Sequence, residues 1–182
     1  MQTVLLVEGN SDRIAIESLA RRRGQDLDGV RVVSLGGVTN ASKAIAEFGP
    51  AGANLRLAGL CDIGEERYFR GALERAGIVA GPGRADLEEL GFFVCVRDLE
   101  DELIRSLEVE GTERVLEREG DLAAFRVFQN QPFHRGRAPE QQLHRFFGTI
   151  GGRKARYAEA LTAGVELERA PGPLVGVLDF VT

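Results

Sequence analysis

Short apolar runs alternate with amphipathic stretches over the first hundred residues. Thr3–Val7, Val30–Leu35, Leu55–Cys61 and Phe92–Val96 are β-rich runs of single-strand length. Between them the apolar period lengthens to that of helices. Ser11 is placed to cap a helix reaching Arg23, with Ile14, Ile16, Leu19 and Ala20 as its apolar positions. Arg21, Arg22 and Arg23 suit its negative end, and Gly24 stops it. Further helices are predicted from Asn40 to Phe48 and over Glu65–Ala76, then a Gly/Pro-rich loop from Gly77 to Asp86. Asp98 is placed to cap a helix from Leu99 to about Leu107.

After Leu107 the strand signal ends. Glu110–Glu119, Leu122–Gln131, Glu140–Phe147 and Arg153–Leu161 read as helices, separated by Gly120-Asp121, Pro132 and Gly151-Gly152. The apolar tail from Pro171 to Thr182 is expected to dock on the body. The pattern predicts an α/β protein: a mostly parallel four-stranded sheet flanked by helices, with a helical C-terminal extension. The expected division is residues 1–108 for the α/β unit and 109–182 for the extension.

Two of the strands run out on carboxylates. Val4-Leu5-Leu6-Val7 leads to Glu8, with Asp12 one turn into the following helix, and Leu57-Ala58-Gly59-Leu60-Cys61 leads to Asp62. In a parallel sheet the carboxyl ends of the strands share one edge, where ligands bind. Glu8, Asp12 and Asp62 are therefore expected to converge, and clustered carboxylates there suit a divalent metal.

Composition narrows the setting. A chain of 182 residues, 43% hydrophobic and 28% charged, is an ordinary globular protein with room for a core. No apolar run approaches the roughly 20 residues of a membrane span, and the chain begins on a strand, so a cytoplasmic protein with no membrane contact is expected. Cys61 and Cys95 lack partners at zinc spacing and read as buried thiols. The net charge of −5 conceals a division: Arg126–Ala158 holds seven basic residues against Glu140 alone, a local +6 that leaves −11 for the rest. A basic arm on an acidic body suits metal in one place and phosphate in another, with a solvated helical surface as the alternative. Arg135, Arg137, Arg153, Lys154 and Arg156 are its candidate nucleic-acid contacts. Phe125, Phe128, Phe133, Phe146 and Phe147 interleave with these arginines. Such aromatics can stack bases, but their helical spacing favours core packing. His134 and His144 show no metal spacing and are not taken as catalytic.

The ordered set Val7-Glu8-Gly9, Ser11-Asp12 and the strand ending at Asp62 resembles a Toprim domain, in particular that of the overcoming-lysogenisation-defect (OLD) nucleases. The resemblance spans roughly residues 3 to 160. It extends to an acidic helix start, Asp98-Leu99-Glu100-Asp101-Glu102-Leu103, and a late basic residue in Gly151-Gly152-Arg153-Lys154. It implies a Toprim-like, Rossmann-like fold and hydrolysis of DNA phosphodiester bonds with Mg²⁺ or Mn²⁺, one or two ions. It also implies metal ligation by Glu8, Asp12 and Asp62, with Glu100 and Glu102 as further candidates. Because residues i and i+2 diverge on a helix, only one of that pair is expected to face the site. Lys154 or Arg153 would neutralise charge at phosphate. Glu8, Asp62 and Lys154 are thus the expected catalytic group. The chain departs from the Toprim pattern in one place, where Asp62-Ile63-Gly64 replaces Asp-x-Asp. Either Glu65 or Glu66 supplies the missing oxygen, with Glu66 carried as the metal candidate, or the site has lost one metal or its activity.

Three readings follow: a metal-dependent endonuclease, a catalytically weakened module that binds nucleic acid or a partner, and a nucleotidyl transferase. OLD nucleases place an ATPase domain ahead of the Toprim region. This sequence contains no Gly-x-x-x-x-Gly-Lys-Ser/Thr loop, so either a separate ATPase subunit is its partner or the domain acts alone. Self-association into a homo-oligomer is a further expectation.

Overall fold

The computed structural model describes residues 2–79, 81–149 and 152–182, so Gly151 of the expected Gly-Gly break lies outside it. Thr3–Val7 (β1), Val30–Ser34 (β2), Arg56–Asp62 (β3) and Phe92–Cys95 (β4) form one parallel sheet in the order β2-β1-β3-β4. β1 and β3 occupy the centre, which is why they read as continuous apolar runs. Alternate residues serve opposite faces. Leu5, Val7, Ala58 and Leu60 join one core cluster, while Val4, Leu6, Leu57 and Cys61 join the other.

The first face is covered by Asn10–Arg23 (α1) through Ala15, Ile16 and Leu19. The second is covered by Ala41–Phe48 (α2) and Glu66–Arg75 (α3) through Ile45, Phe48, Phe69 and Leu73. A short helix, Arg84–Glu89 (α4), occupies part of the expected loop before β4. Its one buried side chain, Leu87, gives too little periodic signal to be seen in the sequence.

Leu99–Arg118 (α5) begins on Asp98 as expected and continues past Leu107 with a break at Glu108, whose φ of 60° and ψ of 174° lie outside the helical region. Leu122–Asn130 (α6), Pro139–Gly148 (α7) and Arg153–Gly164 (α8) complete the helical part. The apolar tail forms Gly172–Val181 (α9), which lies against β3 and β4. Its close approach depends on glycine: a Cβ on Gly176 would overlap the Phe93 ring, and one on Gly91 (φ 84°) the Phe180 ring.

The first core cluster runs without interruption from the sheet into the helices, taking in Phe125, Phe146, Phe147 and Tyr157. Each such burial is worth about 1.5–3 kcal/mol, and α8 packs directly along α1. The helical part is thereby fixed beside the carboxyl edge of the sheet.

Candidate active site

Register sets the acids. Val7 of β1 pairs with Leu60 of β3, so Glu8 and Asp62 leave the sheet within two residues of one another on adjacent strands. Such strands lie about 4.8 Å apart. Asp62 itself pairs with Cys95 of β4, and Asp98, three residues on, caps α5 by accepting the Asp101 N–H at 2.9 Å. At the start of α1, Asp12 accepts the Gly9 N–H at 2.7 Å. This bond, rather than one from Ser11, closes the helix end, and it turns Asp12 back towards Glu8.

These carboxyls are crowded and poorly compensated. Burial, then the charges of Glu8, Asp12, Asp98 and Glu65, push Asp62 up to about 8. Asp12 rises to about 7, chiefly through burial, with Glu100 and Glu8 adding to it against the Gly9 bond. Glu65 also rises to about 7 through burial, the charge of Glu8 and a carboxyl–carboxyl hydrogen bond with Glu8. Its Oε2 atom is buried with no hydrogen-bond partner.

The acids after Gly64 therefore divide. Glu65 faces Glu8. Glu66, expected at the cluster, instead accepts from Arg70 Nε at 2.7 Å one turn along its own helix. A step of one residue turns a helical side chain by about 100°, which separates the two. A step of two residues, about 200°, separates the acids of α5. Glu100 is buried and pairs with Lys154 Nζ at 3.0 Å, close enough to Asp12 to raise its pKa. Glu102 is turned away from the cluster: it accepts the Val96 N–H at 2.7 Å and pairs with Arg105 at 2.7 Å.

Beside the acid edge opens a cleft of about 710 Å³ whose lining includes Arg97, Arg137, Gln141, His144, Arg145 and Lys154. Two contacts stitch cleft to edge. One is Lys154–Glu100. The other is His144 Nε2–Asp98 Oδ2 at 2.6 Å, which, against the cost of burial, holds Asp98 below the usual carboxylate range. Lys154 is partly desolvated, yet Glu100, Asp98 and Asp62 keep its pKa above the ordinary lysine value.

Of the five basic residues expected to meet nucleic acid, Arg137 and Lys154 line this cleft. The other three have intramolecular duties. Arg153 donates to the Phe146 carbonyl at 2.9 Å and stacks over the Phe146 ring. Arg156 pairs with Glu119 and Asp121, and Arg135 donates to the Asn130 carbonyl. Arg97 and Arg145 also line the cleft and are not among the residues picked out from the sequence. For Arg97 a signal existed, since it directly precedes the Asp98 cap at the end of a strand.

A divalent cation fits this donor set in kind: hard carboxylate oxygens, mutually repelling, one of them buried and unsatisfied. As they stand, no three side chains among the described residues are arranged to hold one ion. Mg²⁺ needs only one or two direct carboxylates and keeps its waters otherwise, so the donors present suffice in number. Among the described residues no helix is long and apolar enough to cross a membrane.

Comparison with known proteins agrees with this fold. Residues 1–62 match the family described as overcoming lysogenization defect protein-like, TOPRIM domain. The chain is similar in structure to the C-terminal region of the Burkholderia pseudomallei OLD protein, with a TM-score of 0.71, 25% identity, and 99% of this chain and 96% of that one covered. It is similar also to the C-terminal region of the Xanthomonas campestris pv. campestris OLD protein, with a TM-score of 0.76, 26% identity, and coverage of 99% and 91%. No curated protein matches the sequence.

Proposed function

We propose that this chain, whose residues 1–62 match the OLD-like Toprim model, is a divalent-metal-dependent nuclease that hydrolyses DNA phosphodiester bonds. The observation that carries this reading is the pairing of an under-compensated acid edge with a basic cleft, joined through Lys154–Glu100 and His144–Asp98. A bound Mg²⁺ or Mn²⁺, as one or two ions, supplies charge neutralisation at phosphorus and a nucleophilic water near neutral pH. Glu8 and Asp62 are its principal ligands in this reading. Asp12, Glu65 and Glu100 complete the negative surround, while Glu66 and Glu102 take no part.

The chain's own residues then divide the work. Lys154 neutralises charge on the scissile phosphate. Arg97, Arg137 and Arg145 hold neighbouring phosphates, which fixes the strand without reading its sequence. Asp98 fixes the His144 ring at the junction. A cytoplasmic setting fits this reading, since Cys61 and Cys95 are buried free thiols, the form that persists in reducing compartments. These 182 residues hold no nucleotide phosphate loop, so any coupling to ATP would come from an ATPase outside them, a partner subunit being one source. Isolation of the native protein as a fully active monomer would remove both that partner and self-association from the proposal.

The test is direct. Supercoiled plasmid is incubated with the protein and Mg²⁺ or Mn²⁺, beside Glu8→Ala and Asp62→Ala. Metal-dependent nicking by the wild type alone is the expected result. Metal-independent cleavage, or cleavage surviving both substitutions, sinks the mechanism. One observation favours a second reading, a non-catalytic binding module: Gly64 stands in open space with no carboxylate of its own. DNA binding with a steep salt dependence and no cleavage in any metal would decide for it.

A further inference from the structure

Four of the five phenylalanines interleaved with the basic residues are buried: Phe125, Phe128, Phe146 and Phe147. The fifth is not. Phe133 is 60% exposed, at the tip of the turn between α6 and α7. The guanidiniums of Arg137 and Arg145 both lie over its ring, each 4.8 Å from the centroid, and both arginines line the basic cleft.

The exposure is held in place. His134, next in the chain, is buried, with its ring stacked on Phe128 at 3.7 Å, and its carbonyl accepts from Gln142 Nε2 at 2.9 Å. Arg137 Nε donates to the Phe133 carbonyl at 3.1 Å. The turn is thus pinned to the core on one side while it presents an aromatic ring on the other. Neither Arg137 nor Arg145 has a carboxylate partner among the described residues, in contrast to Arg126 and Arg156. Two unpaired guanidiniums beside one ring, at the mouth of a cleft that already holds Arg97 and Lys154, call for an anion.

The aromatic ring narrows which anion. Duplex DNA presents phosphates and sugars outward with its bases stacked inside, so an aromatic at the rim has no face to meet. An unpaired strand offers base faces beside its phosphates, and proteins that bind such strands combine a basic groove with aromatic and arginine planes. We infer that Phe133, with Arg137 and Arg145, is a stacking site for an unpaired DNA strand entering the cleft. The substrate taken at the acid edge is then a single strand, a flap or a locally opened duplex. This rests on the nuclease reading for its substrate but not for its measurement.

The experiment is performed without metal. Binding of a fluorescein-labelled single-stranded oligodeoxynucleotide and of its duplex is measured by anisotropy in EDTA, for the wild type, Phe133→Ala, Phe133→Leu and Phe133→Trp. Wild type should bind the single strand more tightly than the duplex. Phe133→Ala and Phe133→Leu should weaken single-strand binding by about 5- to 100-fold, with duplex binding nearly unchanged and the same salt slope. Phe133→Trp should retain affinity. A 2-aminopurine in the strand should be quenched by wild type and Phe133→Trp only.

Equal wild-type affinity for strand and duplex overturns the inference, as does equal weakening of both by Phe133→Ala. Wild-type behaviour of Phe133→Leu overturns it too, since leucine keeps the bulk against the arginines and removes the π face. Plasmid cleavage by a wild type that shows no preference for single strands would leave the nuclease reading standing alone. Strand binding through Phe133 without cleavage would do the reverse.

Discussion

The acid edge and the basic helical arm carry opposite charge, and they differ more in how that charge is satisfied. Along the arm most cations are spent within the molecule. Arg126 holds Glu113, Arg156 holds Glu119 and Asp121, and Arg153 holds a helix end. At the edge the acids face one another. Asp12, Asp62 and Glu65 are all raised to about 7 or 8 by burial and like charge, and only Lys154 and His144 reach across. Charge density alone therefore misplaces function. The informative quantity is charge left without a partner, which gathers at the edge and at the few arginines of the cleft.

The largest effect should come from removing one unsatisfied acid. Asp62→Asn is expected to lower cleavage by more than about 100-fold, the upper end of what loss of a mere supporting neighbour costs a metal site. The same substitution should raise the melting temperature of the metal-free protein, because it removes an acid that the folded chain must keep protonated while the unfolded chain ionises it. Loss of both activity and stability would mean that Asp62 is a structural residue and that the contrast between edge and arm is false.

Acidity tests the edge without mutation. Between about pH 4 and pH 8 the folded chain holds protons on Asp12, Asp62 and Glu65 that the unfolded chain has released, so stability falls as pH rises through that window. Melting of the EDTA-treated protein should shift downward from pH 5 to pH 8, and added Mg²⁺ should recover most of the loss at pH 8. A melting temperature that climbs steadily over that range would contradict the crowding of the acids.

Within the arm, Arg145→Ala and Arg156→Ala should part company. The first should reduce the salt slope of DNA binding by about 1, with the fold unaffected. The second should cost up to about 1 kcal/mol of stability, read from denaturant unfolding, and leave the slope alone. Matching behaviour would erase the distinction between free and spent cations.

The smallest effect lies where edge and arm join. Glu108 adopts a backbone conformation that is essentially reserved for glycine, and its exposed pair with Arg169 contributes little. Glu108→Gly should stabilise the fold by about 1 kcal/mol in denaturant titration.

The strands, their parallel sense and the acids on which two of them end were legible because a central strand writes itself as an apolar run and stops abruptly. The choice between Glu65 and Glu66, or between Glu100 and Glu102, turns on a helical step that an acidic cluster does not encode. Which arginines are spent was equally hidden, since the partners of Arg156 lie 35 and 37 residues away in sequence. Phe133 follows the Pro132 break, outside the two predicted helices that hold the other four phenylalanines, but a loop position does not by itself say whether a ring is buried. Only the pinned turn settles that.

Lys154 leans on Glu100 in the absence of anything more anionic. In the nuclease reading, a phosphate entering the cleft would compete for that same ammonium, and each exchange of partner would leave Glu100 as a bare charge beside Asp12. Loading of the strand and appetite for a divalent ion would therefore rise together. By reciprocity, ion and strand should each tighten the other's hold, so the protein would commit to chemistry only when both have arrived.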